Sequence, residues 1–314
     1  MKEICLKVFM MFIAVFSIML FSSMQYKAML SSEHDGISEE KFSDVPYNIH
    51  ISNLGSSHGA CAFDYYDYKD KINTFNFALT AQSLSYDYLI LKQYEDHFVD
   101  GGTMFIVISY FTFGINEEDE ADFRSKNERY YSFLEPENIK QFDWKQYYKI
   151  KYFPLFFSDI KKVLTNIEMA LTNKEIRKAV PDFDYQKDAD AAYKRHIHIS
   201  DNGDLLVNEK EIMALYGIID ICKKHNIKPI LVTTPYRREY NNEFNDNFYK
   251  QFHNIINDIC KNTSVEYRDY SHDYRFIDSD EYNYNADHLS STGAIYFTDI
   301  VINELVENNL GSIK

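Results

Sequence analysis

Glycine and proline are scarce, 10 and 6 among 314 residues. Disordered and low-complexity chains are rich in such breakers. Their scarcity beside 26 tyrosines and 24 phenylalanines points instead to a well-packed, helix-rich protein. No internal repeat is present. Cysteine is equally sparse. Cys5, Cys61, Cys222 and Cys260 stand singly, without the spacing of a metal site. Apolar neighbours flank each, which suits small buried side chains, and a Cys222–Cys260 bridge stays open. Positive charge is in deficit, with 33 Lys and Arg against 48 Asp and Glu, a net charge of −15. Phosphate binding needs a basic face, and none is evident here, so nucleic acid is not expected as a partner. The acidic balance also argues against long-range capture of a polyanionic polymer.

Long uncharged runs are few, and the one at Val8–Tyr26 (VFMMFIAVFSIMLFSSMQY) stands out. A helix rises about 1.5 Å per residue, so this run just spans a hydrocarbon core of about 30 Å. Lys2 and Lys7 precede it and an acidic stretch from Glu33 to Glu40 follows. The positive-inside rule then keeps the N-terminus in the cytoplasm and puts the rest of the chain outside. No small-x-small cleavage site lies near Ser22–Met24, which favours an uncleaved signal anchor over a removed signal peptide. We expect an anchor over residues 1–27, a polar stalk over 28–46, and one globular domain over 47–314.

Within that domain, 45% overall hydrophobic content supports a full-sized α/β core. Strand patterns fall at Asn48–Leu54, Thr74–Leu79, Met104–Phe113, Ile227–Pro235 and Val265–Tyr270. Helical patterns fall at Gln82–Phe98, Glu209–Asn226, Asn242–Lys261 and Ser291–Asn309. Strands alternating with helices predict a parallel, doubly wound sheet. The rhythm lapses between Asn116 and about Gly203, where aromatic and charged helical stretches read as an insertion. Its aromatic residues serve either packing or a substrate groove.

The chemistry concentrates at two ends of the domain. Tyr47–Tyr65 (YNIHISNLGSSHGACAFDY) reads as strand, tight glycine turn and helix. A serine on such a turn presents its Oγ at the carboxyl edge of the sheet, beside helix N–H groups that stabilise an oxyanion. Asn285–Ala294 (NADHLSSTGA) follows the last strand and brings His288 to the same edge, as a base for that serine. His58, next to the serine, suits packing as well as chemistry. Arg237 and Arg238 end a strand at this edge and read as solvated arginines or as contacts to a substrate anion. Asp273, Asp278, Asp280 and Asp287 lack the glycine and closing glutamate of a calcium loop, so no metal site is expected.

These blocks resemble the SGNH/GDSL hydrolase family. Gly55-Ser56-Ser57 matches its Gly-Asp-Ser block, with Ser56 in place of Asp. Asn76 and Ala81 match its second block, and Asn285-Ala286-Asp287-His288 its Asp-x-x-His block. The resemblance implies a three-layer α/β/α, flavodoxin-like fold, Ser57 as nucleophile and His288 as base, with no cofactor. It also implies oxyanion donors at Ser57, Ala81 and the Asn76 block. The family's third block uses an Asn; here Ser109 stands nearest to that place. Asn285 replaces the orienting Asp while Asp287 adjoins the histidine. Either orients His288, and an unassisted Ser–His dyad is a third arrangement.

Among its members the chain looks most like membrane-anchored bacterial surface proteins that handle D-alanyl or acetyl esters of teichoic acid and polysaccharide. This implies a serine esterase or O-acyltransferase acting on cell-surface acyl groups beside a multispan membrane acyltransferase. The missing third-block Asn and Asn285 favour a contrary reading, a non-catalytic scaffold or polymer-binding partner.

Overall fold

A computed structural model describes residues 1–30, 39–115, 127–172, 177–178, 182–200 and 203–311. The chain divides into two compact units. One joins Met1–Asp44 to Glu120–Lys174; the other joins Val45–Asp119 to Glu175–Lys314. These bounds run differently from the expected division at residue 47 and insertion over 116–203. Only the first part of the insertion parts from the α/β unit, and the segment after Glu175 stays within it. Residues 31–38 of the expected stalk and 116–126 of the insertion lie outside the described residues.

In the first unit, helix α1 spans Lys2–Leu30. Its apolar window has a mean hydropathy of 2.6 and none of it is buried. The chain thus carries an N-terminal helix long and apolar enough to cross a membrane. The acidic stretch Glu39–Asp44 forms a 3₁₀ turn whose Phe42 stacks on Phe133, rings 3.9 Å apart.

The second unit carries five strands: β1 (Ile49–Leu54), β2 (Thr74–Asn76), β3 (Phe98–Val107), β4 (Lys228–Thr233) and β5 (Glu266–Asp269). All pair in parallel, in the order β2-β1-β3-β4-β5. That order is one of the two common doubly wound arrangements, in which the chain reverses direction between β1 and β3. β3 begins earlier than expected. Asp100-Gly101-Gly102, which reads as a turn, lies inside the strand, and pairing slips there between Ile49 and Ile51. Phe98 pairs with Ile49 and Thr103 with Ile51, so three extra residues of β3 bulge out, and Gly101 at φ +78 lets the chain turn there.

Alternation along β3 and β4 sorts their side chains to two faces. Phe105, Val107, Ile230 and Val232 join Phe63, Phe276, Phe297 and Val301 in one buried cluster. It lies beneath α2 (Ser57–Ala62) and the C-terminal helix (Ser291–Gly311), which pack together. Met104, Ile106 and Leu231, also buried, point to the opposite face. Helix α3 (Leu84–Tyr94) packs there on the helix Glu209–Lys224. Cys222 is buried and Cys260 half-buried, and both are free thiols, so the bridge left open does not form.

Candidate active site

The turn after β1 carries the nucleophile candidate. Gly55 adopts φ +139, and a Cβ there would lie 2.8 Å from the Val107 Cβ. Only glycine fits both the dihedral and the approach to β3. Its N–H donates to the buried Asp87 carboxylate at 3.0 Å, and the loop after β2 closes on it through Leu79 N–H to its carbonyl at 3.2 Å. Ser56 is the N-cap of α2, accepting from the His58 N–H at 3.4 Å. Ser57 is the first helical residue and is half-buried.

The loop between β5 and the last helix carries the partner. Asn283 and Leu289 pair across it, and Tyr284 N–H donates to the His288 carbonyl at 3.0 Å. Within it the Asn285 Oδ1 accepts from the backbone N–H groups of Asp287 and His288, at 3.2 and 2.8 Å. This small closed turn delivers His288 Nε2 to 2.9 Å from Ser57 Oγ, across 231 residues of sequence.

His288 Nδ1 stands 2.9 Å from Asp287 Oδ1 and 3.1 Å from Asn285 Oδ1. Both candidates for orienting the base therefore reach it. Asp287 is the nearer and carries the charge, while Asn285 also holds the loop closed. The other Asp287 oxygen meets His58 Nε2 at 3.2 Å, and His58 Nδ1 meets the Tyr236 hydroxyl at 2.9 Å.

Protonation along this chain is fixed by its ends. Burial drives Tyr236 far above its ordinary pKa, so its hydroxyl stays protonated and donates to His58 Nδ1. Burial pushes His58 down, with the Asp287 hydrogen bond opposing, so the ring stays neutral and gives its Nε2–H to Asp287. Burial alone would raise Asp287. The His288 charge and the hydrogen bonds from both imidazoles outweigh it and hold Asp287 well below its ordinary value. The His288 Nδ1–H is given to the Asn285 Oδ1 with the Asp287 carboxylate at ion-pair distance beside it, which leaves Nε2 facing the Ser57 hydroxyl.

Aromatic rings pack around His58. Phe111 lies edge-on to His58 at 5.0 Å and stacks on His196 at 4.8 Å. Burial lowers His196 to about 4. Asp188 accepts the Ala286 N–H at 3.0 Å and steadies the loop just before Asp287.

The remaining expected residues take other places. Asn76 is buried, and its amide donates to the carbonyls of Gly59, Ala60 and Phe63 while its oxygen accepts from Ala78 N–H. Its amide donors brace α2, in place of the expected oxyanion or substrate contact. Ser109 is fully buried at the end of β3, and its Oγ lies 3.4 Å from Ser56 Oγ rather than against Ser57. Ala81 is half-buried at φ +54 in the turn that closes on Gly55. Arg237 is neither solvated nor open to substrate. It is buried, paired with Glu239 and Asp280 at 3.0 and 2.7 Å, and lies over the Tyr185 ring. Arg238 is exposed and pairs with Asp278.

Sequence reasoning missed Tyr236 and Asp188, and left His58 undecided. Tyr236 sits one residue before the arginines that drew attention, and nothing local marks it. His58 had the stronger signal, adjacency to the serine, but its partner Asp287 is 229 residues away. Ligand atoms of His58, Asp287 and His288 lie within 4.8 Å of one another, close enough to hold a metal ion. An ion would have to separate His288 Nδ1 from Asp287 Oδ1, so the set fits a proton-transfer chain better than a metal centre. No protein-family model matches the chain, and no curated protein matches it significantly.

Proposed function

We propose that the protein is a serine-dependent esterase or O-acyltransferase, with Ser57 as nucleophile and His288 as general base. The observation that carries this reading is the 2.9 Å approach of His288 Nε2 to Ser57 Oγ, with His288 Nδ1 held on a buried carboxylate. Ser57 Oγ attacks an acyl carbonyl and its proton passes to His288 Nε2. The tetrahedral oxyanion forms near the N–H of Ser57, a first-turn helix position without an intrahelical acceptor, with the Ala81 N–H as the second donor. Collapse expels the alkoxide, which takes the proton from His288. Water or a sugar hydroxyl then gives its proton to His288 and attacks the acyl-enzyme, which frees Ser57. Asp287 stays ionised and steadies the imidazolium.

The resemblance to the SGNH/GDSL hydrolases, the parallel sheet and the N-terminal apolar helix support an anchored member of that family. On this reading the site faces the outside of a bacterial membrane and works on acyl esters of surface polymers, with a multispan acyltransferase as partner. A scaffold would have no need of a serine held against a histidine that itself sits on a buried carboxylate.

The test is fluorophosphonate labelling and p-nitrophenyl acetate turnover of the full-length protein in detergent. Labelling lost with Ser57→Ala, and turnover lost with both Ser57→Ala and His288→Ala, is the expected result. A folded wild type that neither labels nor turns over would return the scaffold reading.

A further inference from the structure

We propose that the helical segment Trp144–Thr172 is a membrane-interfacial element, docked on the lipid surface at the C-terminal end of α1. Three helices make it up: α4 (Trp144–Tyr152), α5 (Pro154–Phe157) and α6 (Ile160–Thr172). The inference does not depend on the chemistry at Ser57.

The first argument is continuity with the apolar helix. Tyr26 and Met29 of α1 pack with Leu155, Val163 and Ile167 in one small core, and Lys27 Nζ donates to the Lys151 carbonyl at 2.5 Å. Further along α1, Phe16 meets Phe153 edge to face with ring centroids 5.3 Å apart. Phe16 and Tyr26 are ten residues apart, about 15 Å along a helix axis. The segment therefore reaches well down the side of the very helix that is apolar enough to span a bilayer. With α1 across a membrane, the Phe153 end of the segment lies at hydrocarbon depth, below the headgroups.

The second argument is what the segment exposes. Trp144, Tyr148 and Tyr152 recur every fourth residue on one face of α4 and are 61%, 54% and 45% exposed. Tyr148 and Tyr152 stack on each other, 5.9 Å apart. Phe156, Phe157, Ile160 and Leu164 extend the exposed apolar surface onto α5 and α6. In water such a surface is costly, about 25 cal/mol for each Å² left uncovered. Trp and Tyr are the residues that settle at headgroup level, with apolar rings inward and polar edges outward.

The third argument is charge. In a chain of net charge −15, this stretch has five lysines against Asp159 and Glu168 alone. Lys145 lies 5.6 Å from the Trp144 ring centroid and Lys149 5.5 Å from that of Phe157. Long stems beside aromatic rings let the ammonium groups reach lipid phosphates while the rings sink. An anionic bilayer surface meets all three features at once.

Trp144 is the only tryptophan in the chain, so its fluorescence reports this face alone. Full-length protein is reconstituted at high lipid-to-protein ratio into vesicles of neutral phosphatidylcholine, or of phosphatidylcholine with phosphatidylglycerol. Some lipids carry bromine near the headgroup and others deep in the chain. The expected result is a blue-shifted emission, quenched most by the shallow bromines and sheltered from aqueous acrylamide. The sheltering should be stronger on anionic vesicles, and Lys145→Glu with Lys149→Glu should abolish that difference. Emission open to acrylamide and untouched by bromolipid in both vesicle types overturns the proposal and leaves the face to a protein partner. Sheltering that appears only as protein density rises overturns it in favour of a second copy.

Discussion

At the residue scale, the run of contacts from Tyr236 through His58, Asp287 and His288 to Ser57 lets the proposed roles be tested one by one. Replacing Asp287 with Asn leaves the packing but lets the wrong His288 tautomer form, and turnover should fall by roughly 10³ to 10⁴. Asn285→Ala keeps the carboxylate and loosens the loop, so its loss should be nearer tenfold, with a lower Tm. The ratio of the two rate losses, measured on p-nitrophenyl acetate, tells which group orients the base. Tyr236→Phe leaves the buried His58 Nδ1 without a donor and should cost about 1–3 kcal/mol in urea unfolding. His58→Ala removes one of the bonds that hold the Asp287 pKa down. The acid limb of the rate profile should then move to higher pH. A chelator should change none of these rates, and activity restored by zinc after dialysis would move His58, Asp287 and His288 into a metal role.

At the same scale, His196 links pH to stability. Its ordinary pKa of 6.5 falls to about 4 in the fold because burial opposes the charged ring. Between those values the unfolded chain holds a proton that the folded one does not. Stability is therefore intact above pH 6.5 and falls as pH drops toward 4. The loss is up to roughly 3 kcal/mol, trimmed by the open edge of the ring. His196→Phe, which keeps the stack on Phe111, should flatten the acid side of a Tm-against-pH curve by that amount. An unchanged curve would mean that the ring titrates normally.

At the scale of elements, the site depends on two close approaches. The β1–α2 turn passes β3 where only a hydrogen fits, and the last helix passes its preceding loop in the same way. A Cβ at Gly293 would meet the Tyr282 carbonyl oxygen at 2.1 Å. Gly55→Ala combines overlap with Val107 and an unfavourable dihedral. It should lower stability by about 3 kcal/mol or more and displace Ser57 from His288, read as lost labelling in whatever fraction folds. α2 itself is only six residues long, too short to stand alone. Asn76 ties its last carbonyls to β2, and Arg177 donates to the Cys61 carbonyl at 2.5 Å.

At the scale of the whole molecule, the chain uses two distant segments to build its first unit. Removing residues 1–38 to make a soluble protein would strip Tyr26 and Met29 from Leu155, Val163 and Ile167. Each buried apolar side chain contributes about 1.5–3 kcal/mol, so the shortened chain should aggregate or lose order over 127–172. Size-exclusion chromatography and proteolysis of the shortened and full-length proteins would check this. Labelling at Ser57 should survive the truncation, because the α/β unit has its own core.

The sequence by itself determined whatever rests on local chemistry or short periodicity. Alternating and apolar runs marked five strands, an uncharged run marked α1, and a glycine–serine turn with a distant histidine marked the Ser57–His288 pair. It could not place the start of β3, because Gly101 and Gly102 look like a turn until a neighbouring strand pairs with them. Nor could it separate residues 127–172 from 182–200, since both read as aromatic, charged helix. Tertiary structure decided which helices share a unit with α1 and that Arg237 is a buried brace. It also decided that Asp287 serves two histidines at once. These are contacts across tens to hundreds of residues, set by burial and by the saturation of buried polar groups. Neither leaves a mark in the residues alongside.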